Sequence, residues 1–290
     1  MYKLYGGKSM IFRAKKFYAI IISLFVFFSG MLISADSVNE NKDKIVLPII
    51  MYHHISDKKS SLGEFVISPE QFENDLKHFK SLGYRTITCD DLIKYSKGKF
   101  SMPDKPIMIT FDDGYLSFYE YAYPLLKKYN MKAVYSIIGK YTDLYSECDD
   151  NNVNYAHVTW EKVKELSKSG LVEIANHTYD LHTLNDRKGS MIKNDESEDC
   201  YKTMLASDLK TLQQKIYNVT GKEPLTYTYP YGRVCKQSYD VITEMGFKVS
   251  LGCEEKINYI DKENPNLYML KRFNRPHGKS SENFFKNILC

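Results

Sequence analysis

The run PIMITF at residues 106–111 carries no charge and is too short for a buried helix. A strand of that composition is apolar towards both faces, as strands in helix-covered parallel sheets are. Comparable runs recur at 45–52, 85–88, 133–138, 171–175, 225–229, 247–251 and 268–273. Amphipathic helical stretches separate them. One has Ser68 as N-cap, Pro69 at the first helical position and Gln71 at N3. Phe72, Leu76 and Phe79 supply its apolar stripe, and Gly83 closes it. Thr159 opens a second helix that ends at Gly170, and the longest runs from Cys200 to Gly221. Strands alternating with helices predict an α/β chain of βα units on a parallel sheet. Roughly seven or eight units in this length fit a barrel better than an open sheet. Residues 139–158 and 185–200 are polar and aperiodic and read as insertions or loops.

The N-terminus is built differently. Lys8, Arg13, Lys15 and Lys16 precede an uncharged apolar stretch at 17–34, and "ISA" ends at Ala35. That order matches a signal peptide cleaved near residue 35. The stretch is also close to the ~20 residues that span a bilayer, so an uncleaved membrane anchor at residues 17–34 is the second reading. Both readings export the rest of the chain, so the expected location is secreted or attached to the outer face of the cell membrane. Residues 36–44 read as a polar linker and 45–290 as the folded domain. The net charge of +4, from 40 basic and 36 acidic residues without a Lys/Arg block, does not suggest a nucleic-acid partner. The six cysteines form no CxxC pair. In an exported chain Cys148 and Cys200 are candidates for a disulfide, beside the reading that all are free thiols.

The unusual polar residues fall where the strands end. His53 and His54 follow LPIIMY, Asp112 and Asp113 follow PIMITF, His177 follows LVEIAN, and YPYGR follows LTYT. In parallel α/β folds the ligand site lies at that end, where the βα loops converge. Asp and His are oxygen and nitrogen ligands suited to one Zn²⁺ or a similar divalent ion, and three protein ligands leave a position open for water. His177 and His182 are five apart in NHTYDLHTL, so they would bind from a loop. Of two adjacent aspartates beside an ion, one coordinates it and the other stays free to accept a proton from water, and the ion offsets their repulsion. Gly114 lets the chain turn sharply after them. His78 and His157 lie away from strand ends and read as surface residues. Tyr231 and Trp160 are candidates to line a sugar groove.

TFDDGY, NHTYDLH and YPYG, in that order, resemble the polysaccharide deacetylases of carbohydrate esterase family 4, known for the NodB-homology domain. The resemblance covers roughly residues 45–275. The early MYHHI and the five-residue histidine spacing look most like the poly-N-acetylglucosamine deacetylase branch. It implies a deformed parallel (β/α) barrel of about seven strands and metal-dependent removal of N-acetyl groups from an N-acetylated, GlcNAc-containing polysaccharide. By motif position Asp112 is then the general base, Asp113, His177 and His182 the metal ligands, and Tyr231 with Gly232 the region of the oxyanion. Many members orient the base with an arginine before PYG, where this chain has Thr228 and Tyr229. Arg272 in MLKRFNRP is the candidate to take that role. The late Leu-x-His that supplies the acid in many members is also missing. The biofilm branch draws this histidine from the early strand, which selects His53 and leaves His54 to pack or orient it. The alternatives are a peptidoglycan deacetylase of the same fold and a wall-polymer binding module without catalysis.

Overall fold

Proline 48 cuts the first expected strand in two, because it has no N–H to donate to a ladder. The computed structural model describes residues 44–261 and 263–289. The N-terminal segment 1–35, with its apolar stretch at 17–34, lies outside the described residues. Among those described, no helix is long and apolar enough to cross a membrane. Strand β1 (Lys44–Leu47) stops at the proline and β2 (Ile49–Tyr52) starts after it. The strands β3 (His54–Ile55) and β4 (Val66–Ile67) pair with each other alone. Next come β5 (Arg85–Thr86), β6 (Pro106–Phe111), β7 (Ala133–Ile137), β8 (Val172–Asn176), β9 (Thr226–Thr228) and β10 (Val249–Leu251). The last two are β11 (Asn258–Asp261), which pairs with β1, and β12 (Phe273–Asn274).

The main sheet runs in the order β10-β9-β8-β7-β6-β2-β12, with β5 on the early half of β6, and its pairings are parallel. All six residues of β6 are buried, as its composition requires. The sheet curls into the expected deformed α/β barrel. Its closure is irregular, and the expected strand at 268–273 is split by it. Leu270 forms a parallel bridge with Leu251 of β10, whereas Phe273 and Asn274 pair with Ile50 and Met51 of β2. Met269 takes a left-handed φ of 56°, and the Asn258 side chain exchanges hydrogen bonds with Lys271 at 2.8 and 2.9 Å. A bend and an inserted amide together prevent one continuous strand.

The helices carry the caps read from the sequence. Ser68 Oγ accepts the Gln71 N–H at 3.1 Å and opens Pro69–Ser81, which buries Phe72, Leu76 and Phe79. Thr159 caps Trp160–Lys168. The longest helix is Glu198–Thr220, starting two residues before Cys200 because Ser197 is its N-cap. It ends at Gly221, whose φ of 70° favours glycine. One expectation fails: residues 139–147 are the helix Gly139–Glu147 rather than loop. Its buried positions are Gly139 and Thr142, while Leu144 is 52% exposed, so no apolar stripe faces the core. Cys148 and Cys200 are both free and exposed.

Candidate active site

The Asp112 N–H continues the β6 ladder by donating to Tyr52 O at 3.0 Å. The chain then reverses through two left-handed residues, Asp113 (φ 72°) and Gly114 (φ 74°). At Gly114 a Cβ would stand 3.2 Å from Ile137 Cα, so glycine is needed for space as well as for φ. Asp113 is among the few non-glycine types that tolerate this region. His157 holds it there, with Nδ1 2.8 Å from the Asp113 carbonyl oxygen. Backbone bonds from Leu116 to Ala156 and from Val158 to Gly114, both 2.8 Å, fix the same pair of segments. The result places both carboxylates on the wall of one cleft of about 1050 Å³.

The two aspartates have different partners. Asp112 meets Arg272 in a two-pronged ion pair, Oδ1 to Nη1 and Oδ2 to Nη2, both 2.8 Å. Arg272 is fully buried, and its Nε donates to Gly252 O at 2.7 Å while Nη1 also reaches Thr110 Oγ1 at 3.1 Å. Burial by itself pushes the Asp112 carboxyl up, but the charge and hydrogen bonds of Arg272 outweigh it and hold the group below the usual carboxylate range. Thr228, one of the two positions where the resemblance led an arginine to be expected, has its hydroxyl 2.7 Å from Ser136 Oγ.

Asp113 Oδ1 instead lies 3.4 Å from His177 Nε2 and 3.1 Å from His182 Nε2. One ligand atom from each of the three falls within 4.8 Å of the others, the grouping of a metal site. His177 Nδ1 is 2.8 Å from Thr228 O, so it carries the proton and leaves the Nε2 lone pair free to coordinate. A tetrahedral ion with bonds of about 2.0–2.1 Å separates its ligands by about 3.3 Å, close to these spacings. The residues fit a divalent ion.

The remaining expected residues are divided by the structure. His53 lines the cleft, its Nδ1 is buried without a hydrogen-bond partner among the described residues, and burial lowers its pKa. His54 lines the cleft too, with Nδ1 2.8 Å from Ser117 Oγ. Strict alternation would send only one of them inwards, but the ladder is interrupted at His53 and the rule does not hold across the break. Tyr231 (φ 57°) lines the cleft, with its hydroxyl 3.1 Å from His182 Nδ1. Gly232 does not offer a free donor, because its N–H is bonded to Tyr229 O at 3.0 Å. Its role is close approach: a Cβ there would sit 2.7 Å from Cys253 Cβ. Trp160 lies outside the cleft lining, and its indole N–H donates to Asp143 at 2.8 Å.

Two residues escaped the sequence reading. His157 is 8% exposed and stacked near Tyr115 and Tyr141, at 4.8 and 4.5 Å between ring centroids, so it is no surface residue. Burial pushes it down to about 4, which keeps it neutral. Asp208, on the long helix, accepts the N–H groups of Tyr179 and Asp180 with its two oxygens, each at 2.8 Å. It thereby grips the loop between His177 and His182. Neither residue follows a strand or belongs to a spaced motif, so no sequence signal marked them.

Residues 99–250, just over half of the chain, match the sequence profile described as polysaccharide deacetylase. The chain belongs to the polysaccharide deacetylase family. This deacetylase is 31% identical over 208 residues to the poly-beta-1,6-N-acetyl-D-glucosamine N-deacetylase of Staphylococcus aureus, covering 71% of the chain and 67% of that protein. Among solved structures it resembles the de-N-acetylase of Aggregatibacter actinomycetemcomitans, with a TM-score of 0.70 at 26% identity over 84% of this chain and 98% of that one. It also shares the fold of the Streptococcus pyogenes deacetylase PplD, solved with acetate, with a TM-score of 0.68 at 23% identity over 85% and 100% of the two chains.

Proposed function

We propose that this deacetylase hydrolyses the N-acetyl groups of poly-β-1,6-N-acetylglucosamine outside the cell membrane, using one divalent ion, zinc by its ligand set. The observation that carries the reading is the division of the aspartate pair. Asp113 sits with two histidines in a metal-type cluster, while Asp112 is clamped by Arg272 and kept ionised beside it. A binding module has no use for a base held next to an ion. The Staphylococcus aureus relative supports the polymer, and the basic residues before the apolar stretch 17–34 support export.

Asp113, His177 and His182 would hold the ion, which when bound supplies Lewis-acid polarisation of the acetamide carbonyl and acidifies water. Asp112 takes the proton from the attacking water, and the Arg272 fork keeps its carboxylate aimed and charged. His53 delivers a proton to the departing amine nitrogen. Burial lowers its pKa and makes its imidazolium a readier acid, and the proton it gives up is made good by the one Asp112 took from the water. The turn at Tyr231 supplies backbone polarity for the oxyanion, and its hydroxyl orients His182.

Acetate release from β-1,6-linked N-acetylglucosamine oligomers, with and without chelator, tests the reading. Release that stops with chelator and returns with zinc is expected. Release unaffected by thorough metal removal would overturn the metal assignment, and no release from any such oligomer would overturn the substrate. Fractionation of cells that make the full chain tests export, and an intact cytoplasmic product would refute it.

A further inference from the structure

Charge around the cleft is strongly biased. Of the 290 residues 40 are lysine or arginine, yet none of the described residues lining the cleft is either. Two of the lining carboxylates are answered within the site, Asp112 by Arg272 and Asp113 by the histidines. Glu64 and Glu255 are not. Both are exposed on the cleft wall, and neither is in an ion pair with a described residue. Asn274 joins the two segments, donating its N–H to Glu255 Oε1 and its side-chain amide to the Glu64 backbone carbonyl, each at 3.0 Å. Lys256 and Lys271, on the segments beside Glu255, are both directed to Glu254 instead.

Much of the rest of the wall is aromatic or apolar. Phe65 is 50% exposed beside His53, and Tyr141, Leu144 and Tyr155 are 36%, 52% and 49% exposed. Tyr141 is backed by the His157 ring, so it is a supported platform rather than a loose side chain. Flat apolar faces next to the reacting groups suit the C–H faces of pyranose rings on either side of the sugar being deacetylated. They require no charge on the polymer, and the two glutamates penalise a negative one.

We infer that the Glu64 and Glu255 wall makes this cleft selective by charge, favouring aminosugar chains that already carry free amines and rejecting anionic wall glycans. This rests on the deacetylase reading above and narrows its substrate. Each deacetylation converts an acetamide to an ammonium, so the product chain is a better ligand for the same wall than the untouched polymer. A muramic acid carboxylate in the neighbouring position meets the opposite field. Exposed ion pairs are worth less than about 1 kcal/mol each, so about threefold in KM per glutamate is expected, fading with salt.

The test compares three oligosaccharides of equal length with the full chain: fully acetylated β-1,6-linked N-acetylglucosamine, the same chain with one free amine, and a peptide-free glycan containing muramic acid. At low salt KM should fall for the amine-bearing chain and rise for the muramic acid chain relative to the neutral one. Both differences should shrink at about 0.5 M salt and in the Glu64→Gln/Glu255→Gln variant. Equal KM for all three chains, or a preference that survives the double variant, would overturn the inference. If the neutral chain releases no acetate, the proposed function fails instead. Calorimetric binding of the same three chains then still reads the charge preference.

Discussion

Replacing Arg272 by lysine keeps a positive charge and removes the fork. The guanidinium makes two bonds of 2.8 Å to Asp112, one of 2.7 Å to Gly252 O and one of 3.1 Å to Thr110 Oγ1, all in a fully buried setting. A lysine head group is a point donor that cannot span both carboxylate oxygens. Loss of one charge-assisted bond costs about 1.5–3 kcal/mol, which at 1.36 kcal/mol per pH unit lifts the Asp112 pKa by about one to two units. The sign is set by Asp112 being depressed in the folded protein. The carboxylate stabilises the fold above its unfolded pKa and loses that contribution as pH falls through the folded one, so raising the folded pKa reduces stability at neutral pH. The acid limb of kcat/KM for acetate release should therefore move upwards by about one unit or more, and thermal unfolding should occur earlier. Arg272→Gln, which leaves a buried carboxylate unpaired, should cost about 3–5 kcal/mol. A lysine variant whose pH profile superimposes on that of the unchanged enzyme would refute the argument, because either Asp112 is not the base or Arg272 does not set it.

His53→Ala should keep the fold and the metal and lose about 10²–10⁴-fold in kcat, with His54→Ala milder; near-normal acetate release from His53→Ala would show that another residue is the acid. Asp208→Asn puts an amide N–H₂ against one of two loop N–H donors, and metal affinity measured by chelator competition should fall about tenfold or more. An unchanged affinity would mean that the ligand loop holds itself. Burial and the neighbouring Asp90 push Glu173 up to about 7, so its protonated form is the one the fold favours. Its contribution is complete below the unfolded carboxylate pKa and is lost as pH rises towards 7, so Glu173→Gln should flatten denaturation midpoints over that window, and parallel curves would contradict this.

What the sequence made legible was what periodicity and strand ends can encode. PIMITF is a buried strand, Ser68 caps a helix, and four strand ends converge, because each of these is a local demand on residue type. Pairings set by the closure of the barrel were not local in this sense. Arg272 and Arg275 lie three residues apart in KRFNRP and are both buried. Arg272 turns onto Asp112 from behind the cleft wall, while Arg275 clamps Asp75 beneath the helix Pro69–Ser81, at 2.9 and 3.0 Å. Nothing in the two arginines themselves distinguishes site from scaffold. The distinction is made where the chain crosses from β10 to β2, since a left-handed Met269 and the Asn258 amide set the register from which each side chain leaves. Arg275 then acts on the site from a distance. It holds Asp75 together with the hydroxyls of Tyr52 and Ser281, and Tyr52 ends the strand that delivers His53. The same short segment thus supplies the partner of Asp112, the proposed base, and anchors the strand that leads to His53, the proposed acid.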